Sequence, residues 1–447
     1  MKKKRSFYLA SLGCPKNLVD SAGIAALLQR AGFVAAAAPE DAELLIVNTC
    51  GFIAQARAES QSVLHELARA KRPGQVMIAA GCYAERSPDE LAQAVPGIDG
   101  LIGTRHWTEI AALVERLRAG RGAQPASRPL QHRPECGGGE LELPGLLRVA
   151  VQGSSAYLKL ADGCSRSCAF CAIPLIKGAA VSRPPDDIVA DAVWLAQRSI
   201  QEIILIAQDT TGYGRDLGMR DGLTNLLDRL GEAVPAVPWL RLMYGFPGRA
   251  VERLAETMLR HPQVLPYLDL PLQHAHPDVL RRMQRPHDVE AVRRMVARLR
   301  EAVPDIAIRT TFLVGFPGES EAEFQALLDF TTEMAFDRVG VFTYSHERGT
   351  PAEGLADDVP SELKEERRDR LMAIQQPISL ARNQALVGRT LDVLIEGQDE
   401  GLSVGRSYRD APEIDGLVLV QAVLPVGRIA PVRIVAALEY DLIGEPA

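Results

Sequence analysis

Three cysteines in one short stretch carry the first chemical signal. Cys164, Cys168 and Cys171 stand in DGCSRSCAFCAIP, a C-x3-C-x2-C spacing directly after a strand-like apolar run. Thiolate is the standard ligand for each iron of a cubane cluster. Three thiolates on one loop can therefore hold three irons of a [4Fe–4S] cube and leave the fourth open to a substrate or cofactor. Structural zinc is the plainer alternative. It wants a fourth ligand at matching spacing, and the sequence offers none nearby.

A second trio is spread out. Cys14, Cys50 and Cys82 follow LASLG, LLIVNT and MIAAG, thirty-six and thirty-two residues apart. Each follows a predicted strand, one strand–helix unit after the last. The carboxyl ends of parallel strands line one sheet edge, where ligands gather. Lone cysteines are often buried for packing alone. Three at equivalent positions, beside a second trio, favour a shared cluster. The seventh cysteine, Cys136, has no partner and is assigned no role.

Other candidates are softer. VGFPGE at 314–319 is a Gly/Pro turn whose amides can hold an anionic group, though many strand-to-helix turns look alike. His274 and His276 in PLQHAHPD are possible ligands, or hydrogen-bonded turn residues. Asp209 and its threonines in AQDTTGYG sit at a strand end, where barrel enzymes place functional groups. Phe170 can pack on an adenine or anchor the cysteine loop.

Positioning these residues takes several domains. At roughly 150 residues each, 447 residues make about three. Apolar residues at 47% and charged residues at 24% are globular proportions that exclude a mainly disordered chain. No apolar run nears the roughly 20 residues of a membrane span. The N-terminal KKKR reads as a solvated tail, and the apolar stretch after it is too short for a signal segment. A cytoplasmic protein is expected. A net charge of −7 disfavours a surface built to grip nucleic acid. Seven cysteines, an odd count, point to metal or catalytic thiols rather than a disulfide framework.

Residues 4–118 alternate strand-like and helical runs, a parallel α/β domain. Residues 119–148, rich in Gly, Pro and Arg, read as a linker. From 150 to 375 there are six strand candidates, at 157–162, 202–207, 239–246, 267–273, 307–315 and 338–345. Helical stretches separate most of them, which predicts a partial TIM-like (β/α)6 barrel. A charged helix at 364–376 leads out. Residues 376–447 hold short β-rich runs between Gly, Pro and Asp, a small antiparallel barrel of OB-like size. That segment carries six Lys+Arg and ten Asp+Glu, a balance of −4.

The C-x3-C-x2-C loop opening a β/α barrel resembles the radical S-adenosylmethionine (SAM) signature. With three upstream cysteines and a TRAM-like terminal β domain, almost the whole chain resembles the radical SAM methylthiotransferases. SLGCPKNLVDS, DGCSRSCAFCAIPLIKG, AQDTTGYG, PYLDLPLQHAHPDVLRRM, RTTFLVGFPGE and FTYSHERGTPA are similar to the branch acting on small-subunit ribosomal protein twelve. The tRNA-modifying relatives usually carry Gln-Met-Asn where this chain has Pro15, Lys16 and Asn17. Lys177 stands where these proteins commonly carry Arg. A glycine-rich SAM-amine motif is not evident; AQDTTGYG takes its place.

The resemblance implies two [4Fe–4S] clusters, one on Cys164, Cys168 and Cys171 that binds SAM, and an auxiliary one on Cys14, Cys50 and Cys82 that carries sulfur. It implies SAM contacts at Phe170, Gln208, Gln273 and Arg309, and no catalytic residues beyond the cluster ligands. The implied reaction uses two SAM, one as methyl donor and one as radical source, to methylthiolate the β-carbon of an aspartate. An electron donor such as flavodoxin or ferredoxin is expected, with no membrane and no nucleic acid as main partner. An acidic third domain suits a basic ribosomal protein by charge. Three alternatives stand beside this reading: a tRNA adenosine methylthiotransferase, a two-cluster electron carrier, and a zinc-stapled binding module.

Overall fold

The computed structural model describes residues 5–120, 129–132 and 145–447. Cys136 and most of the basic N-terminal run lie outside them. The chain divides into two compact units. The first holds residues 1–150 with 162–165 and 172–179; the second holds the rest.

In the first unit, β1 (Ser6–Ser11), β2 (Val34–Ala35), β3 (Leu44–Thr49), β4 (Val76–Gly81), β5 (Gly100–Gly103) and β6 (Leu130–His132) form one parallel sheet in the order 2-1-3-4-5-6. Every residue of β3 and β4 is buried, because helices cover both faces. Leu44, Ile46 and Ile78 pack with Ile24 and Leu28 of α1 (Pro15–Arg30) and with Ile110 and Leu113. The alternate residues Leu45, Val47 and Met77 pack with Leu64 and Leu67 on the other side. A strand covered on both faces reads as an unbroken apolar run. β6 falls within the stretch read as linker. It is only three residues long, and its pairing with Gly100–Ile102 holds it on the sheet.

In the second unit the six barrel strands are Ser155–Lys159, Glu202–Ile206, Trp239–Leu242, Tyr267–Asp269, Ala307–Val314 and Arg338–Thr343. They pair in parallel as two groups of three. Between the third strand and the fourth segment the ladder thins to the single bridge Leu240↔Val264. The exit helix is longer than predicted, Ser361–Gln384, and runs through Pro377. Proline inside a helix costs about 3 kcal/mol. A buried stripe on both sides of it offsets that cost: Arg367, Leu371, Gln375, Ser379 and Asn383. The boundary read at 376 thus lies inside a helix.

The terminal segment is a closed five-stranded barrel around Val393, Ile395, Val418, Val432 and Ile434. Its pairings are antiparallel except one: Val418–Val420 runs parallel to Leu442–Pro446. It is fastened to the end of the larger barrel where the strands begin. Arg406 Nη2 lies 2.6 Å from Glu202 Oε2, and Arg241 Nη1 donates to Tyr408 O at 2.8 Å. Arg338 pairs with Asp410 at 2.6 Å. Tyr267 donates its hydroxyl proton to Asp415 at 2.6 Å.

Among the described residues, no helix is long and apolar enough to cross a membrane.

Candidate functional site

The strand order reverses between β1 and β3, and ligands in open α/β sheets gather at such a switch point, beyond the strand carboxyl ends. Cys14 follows β1 and caps α1, Cys50 follows β3, and Cys82 follows β4. These three strands are neighbours. Two glycines let the strand ends close up. A Cβ on Gly13, whose φ is +86°, would lie 2.8 Å from Cys50 Cβ and 3.0 Å from its sulfur. A Cβ on Gly51 would lie 2.7 Å from Tyr83 Cα and 2.9 Å from the Cys82 carbonyl carbon. The three cysteines therefore stand at one sheet edge, near enough that Cys14 and Cys50 act electrostatically on Cys82.

Polar side chains of α1 lock this edge. Asn17 Nδ2 donates to Leu12 O at 2.7 Å and Asn48 O at 3.1 Å, while Asn48 Nδ2 returns a bond to Asn17 O at 2.9 Å. Burial pushes the Cys50 thiol up, and the Cys82 thiol up to about 12, with Lys177 opposing and the other two cysteines adding. A metal must displace these protons to bind, so occupancy of such a site rises with pH. All three are free, and none is fully enclosed.

Lys177 Nζ sits 2.8 Å from Asp20 Oδ2 and 3.1 Å from Asp162 Oδ1, and Arg148 bridges the same two carboxylates. The lysine is thus the cation of a buried network next to Cys82. Sequence reasoning missed Asp20 and Arg148. The signal was a run of polar residues on the buried face of α1, namely Lys16, Asn17, Asp20 and Ser21.

The C-x3-C-x2-C loop is pinned along its length. Cys164 N–H donates to Gly178 O at 3.0 Å, and Cys171 N–H to Cys168 O at 3.1 Å. Ala169 N–H donates to Met283 O at 2.9 Å. Phe170 packs on the cluster of Val279, Met283, Leu313 and Phe316, so it anchors the loop. Arg166 pairs with Asp209 at 2.7 Å and lies 3.9 Å from the centre of the Phe246 ring. Asp209 also accepts from Gly212 N–H and Thr211 Oγ1, which makes it the cap of its own turn. Arg285, which sequence reasoning did not single out, donates to Cys168 Sγ at 3.4 Å.

Gln208, at the end of Glu202–Ile206, has a buried side-chain oxygen without a partner. An unmet acceptor at a strand carboxyl end fits a cofactor that brings an N–H, such as the SAM amine. Gln273 has a left-handed backbone, φ +74°, held by Thr311 O and Leu313 N–H. Such strain clusters at ligand sites.

The partners of the remaining candidates are fixed. Arg309 is the third residue of its strand, on the half facing the terminal barrel. Its guanidinium pairs with Asp269 at 3.0 Å and with Asp415 at 3.4 Å, which fastens the terminal barrel. The VGFPGE turn is already filled. Gly315 and Phe316 N–H donate to Glu319, itself paired with Arg367 at 2.9 Å, so those amides are not open to an anion. His274 is buried, and burial brings it down to about 3, so it is neutral and no charge partner. His276 caps the helix Pro277–Arg282.

The chain matches three family profiles: the uncharacterized protein family UPF0004 over residues 6–103, the radical SAM superfamily over 158–331, and the TRAM domain over 387–446. Among curated proteins it is 49% identical to the ribosomal protein uS12 methylthiotransferase RimO of Roseiflexus sp. (strain RS-1), over 98% of this chain and 96% of that one. It is equally similar, at 49%, to the RimO of Chloroflexus aurantiacus, covering 98% and 99%. The RimO of Microcystis aeruginosa is 44% identical over the full length of both. Among solved structures, the radical SAM methyltransferase TsrM from Kitasatospora setae, with cobalamin and a [4Fe–4S] cluster bound, superposes with a TM-score of 0.56. The identity is 15%, over 78% of this chain and 77% of that one, a likeness of fold.

Proposed function

This chain belongs to the RimO family of ribosomal protein uS12 methylthiotransferases, and from that premise we propose how its residues divide the work. The enzyme is a radical SAM methylthiotransferase that uses SAM and an iron–sulfur cluster. It replaces a hydrogen on the β-carbon of a uS12 aspartate by a methylthio group.

We assign two [4Fe–4S] clusters, one to Cys164, Cys168 and Cys171 and one to Cys14, Cys50 and Cys82. When bound, SAM and the two clusters supply the radical, the methyl group and the sulfur; the protein supplies position and exclusion of water. Asn17 and Asn48 hold Cys14 and Cys50 in register. Phe170 and the Met283 carbonyl fix the loop that carries Cys168 and Cys171. Gln208 offers its unmet oxygen to SAM, and Gln273 is retained as a second contact.

The observation that carries the auxiliary cluster is the packing of Gly13 on Cys50 and of Gly51 on residues 82–83. It supports three sulfurs meeting at one sheet edge. The substrate is the ribosomal protein rather than RNA, although TRAM domains as a class can bind nucleic acid. Two of the six arginines counted in the terminal segment, Arg406 and Arg409, are buried in ion pairs. Asp410 and Asp415 of the same segment are buried in ion pairs as well, so the exposed balance stays acidic, and an acidic surface repels phosphates. A flavodoxin- or ferredoxin-type donor would supply the electron, in the cytoplasm.

The test is anaerobic reconstitution with iron and sulfide, followed by dithionite, SAM and a uS12 peptide. The expected result is 5′-deoxyadenosine and a peptide heavier by one methylthio group in place of hydrogen. A modified anticodon-stem RNA beside an unmodified peptide would move the assignment to the tRNA branch.

A further inference from the structure

Eight arginines are buried among the described residues. Seven of them face an Asp or Glu within 3.2 Å. Arg285 is the exception. It is 8% exposed, yet among the described residues no carboxylate lies within ion-pair distance and its Nε has no partner. Leaving a buried cation without a counter-charge is costly, on the order of several kcal/mol. The other seven show how this fold normally avoids that cost.

The surroundings of Arg285 identify what balances it. Nη1 lies 3.4 Å from Cys168 Sγ, and Nη2 donates to Pro271 O at 2.5 Å. The guanidinium carbon lies 4.3 Å from the centre of the Phe246 ring. Two backbone features aim it there. Gln284 takes a left-handed φ of +54°, which turns the chain at the end of its helix. Met283 O accepts Ala169 N–H, which ties that turn to the cysteine loop. The one buried guanidinium without a carboxylate among the described residues is thus directed at a sulfur.

We propose that Arg285 is the counter-cation of the cluster carried by the 164–171 loop, and that its N–H bond to Cys168 sulfur raises the reduction potential of that cluster. The inference rests on the assignment of a cluster to Cys164, Cys168 and Cys171. Three thiolates on a cubane core give a net charge of about −1, which becomes about −2 when one electron is added. A fixed cation stabilises the second state more than the first. Hydrogen bonds to ligand sulfur act in the same direction. Arg285 is a positioning and tuning residue here, acting through Cys168.

The test uses the full chain, reconstituted anaerobically, as wild type, R285K and R285Q. The readout is a potentiometric titration of the paramagnetic signal that changes on addition of SAM, with iron content measured alongside. R285Q is expected to keep its iron and to lose at least tenfold in the reduction equilibrium constant, a midpoint lower by about 59 mV for one electron. R285K keeps the charge but not the fork and should fall between. If R285Q loses iron, R285K decides: a lowered midpoint supports the proposal, and a wild-type midpoint overturns it. An unmoved midpoint with weakened SAM binding would make Arg285 a SAM ligand and overturn it too. Absence of a SAM-responsive signal in the wild type would instead overturn the cluster assignment, a failure separate from an unmoved midpoint.

Discussion

Arg406 and Glu202 meet at 2.6 Å although 204 residues separate them, and both are essentially without solvent contact. Glu202 is also held by Arg241 at 2.6 Å. Burial alone would raise the Glu202 carboxyl, but the two guanidiniums outweigh it and bring it down to about 2. A depressed carboxylate contributes stability that is present above its ordinary value near 4.5 and lost as pH falls toward 2. E202Q should therefore cost about 3–5 kcal/mol at neutral pH. Thermal unfolding across pH checks this: the deficit should shrink below pH 4.5, and a constant deficit down to pH 3 would contradict it.

The auxiliary centre should be separable from the SAM-binding one. C50A should lower iron from about eight to about four per chain. It should still release 5′-deoxyadenosine and should form no methylthiolated peptide. Iron analysis with the peptide mass assay decides. Product formation by C50A would remove the auxiliary role.

G51A is a steric version of the same test. Its Cβ would press on the backbone of residues 82 and 83, which cannot move aside as a flexible side chain can. The expected outcome is loss of the auxiliary iron with the SAM-responsive signal intact. Full iron occupancy in G51A would mean that the strand ends are not as closely packed as described.

The acidic surface of the terminal barrel should matter for uS12 binding only at low salt. Asp410 does not belong to that surface, since it is buried against Arg338, and Glu396 is held by Arg406. Asp399, Glu400 and Glu413 are exposed. Reversing these three to Lys should weaken binding roughly tenfold at low ionic strength and little at high. A titration by fluorescence anisotropy at two salt concentrations measures it. Equal affinity at low salt would dismiss the charge argument.

What was legible in the sequence followed from local pattern. The runs LLIVNT and VMIAAG could only be strands covered on both faces, and a cysteine directly after each marks the sheet edge. What was not legible depended on distant partners. Nothing local to Arg309 points to its partner Asp415, more than a hundred residues away. Asp410 reads as surface charge in the sequence, yet it is buried 2.6 Å from Arg338, which lies seventy-two residues upstream. Leu130–His132 is too short to show a strand period, and only its sheet neighbour defines it. Arg285 stands in RMQRP, where nothing local marks it; its meaning lies in which partner it lacks.

The terminal barrel grips the larger barrel where the strands begin, and the cysteine loop leaves from where a strand finishes. The longest of those strands, Ala307–Val314, has eight residues, a rise of about 26 Å at roughly 3.3 Å each. That interval works as a ruler. An acidic contact on the terminal barrel therefore acts about one strand length away from the cysteine loop.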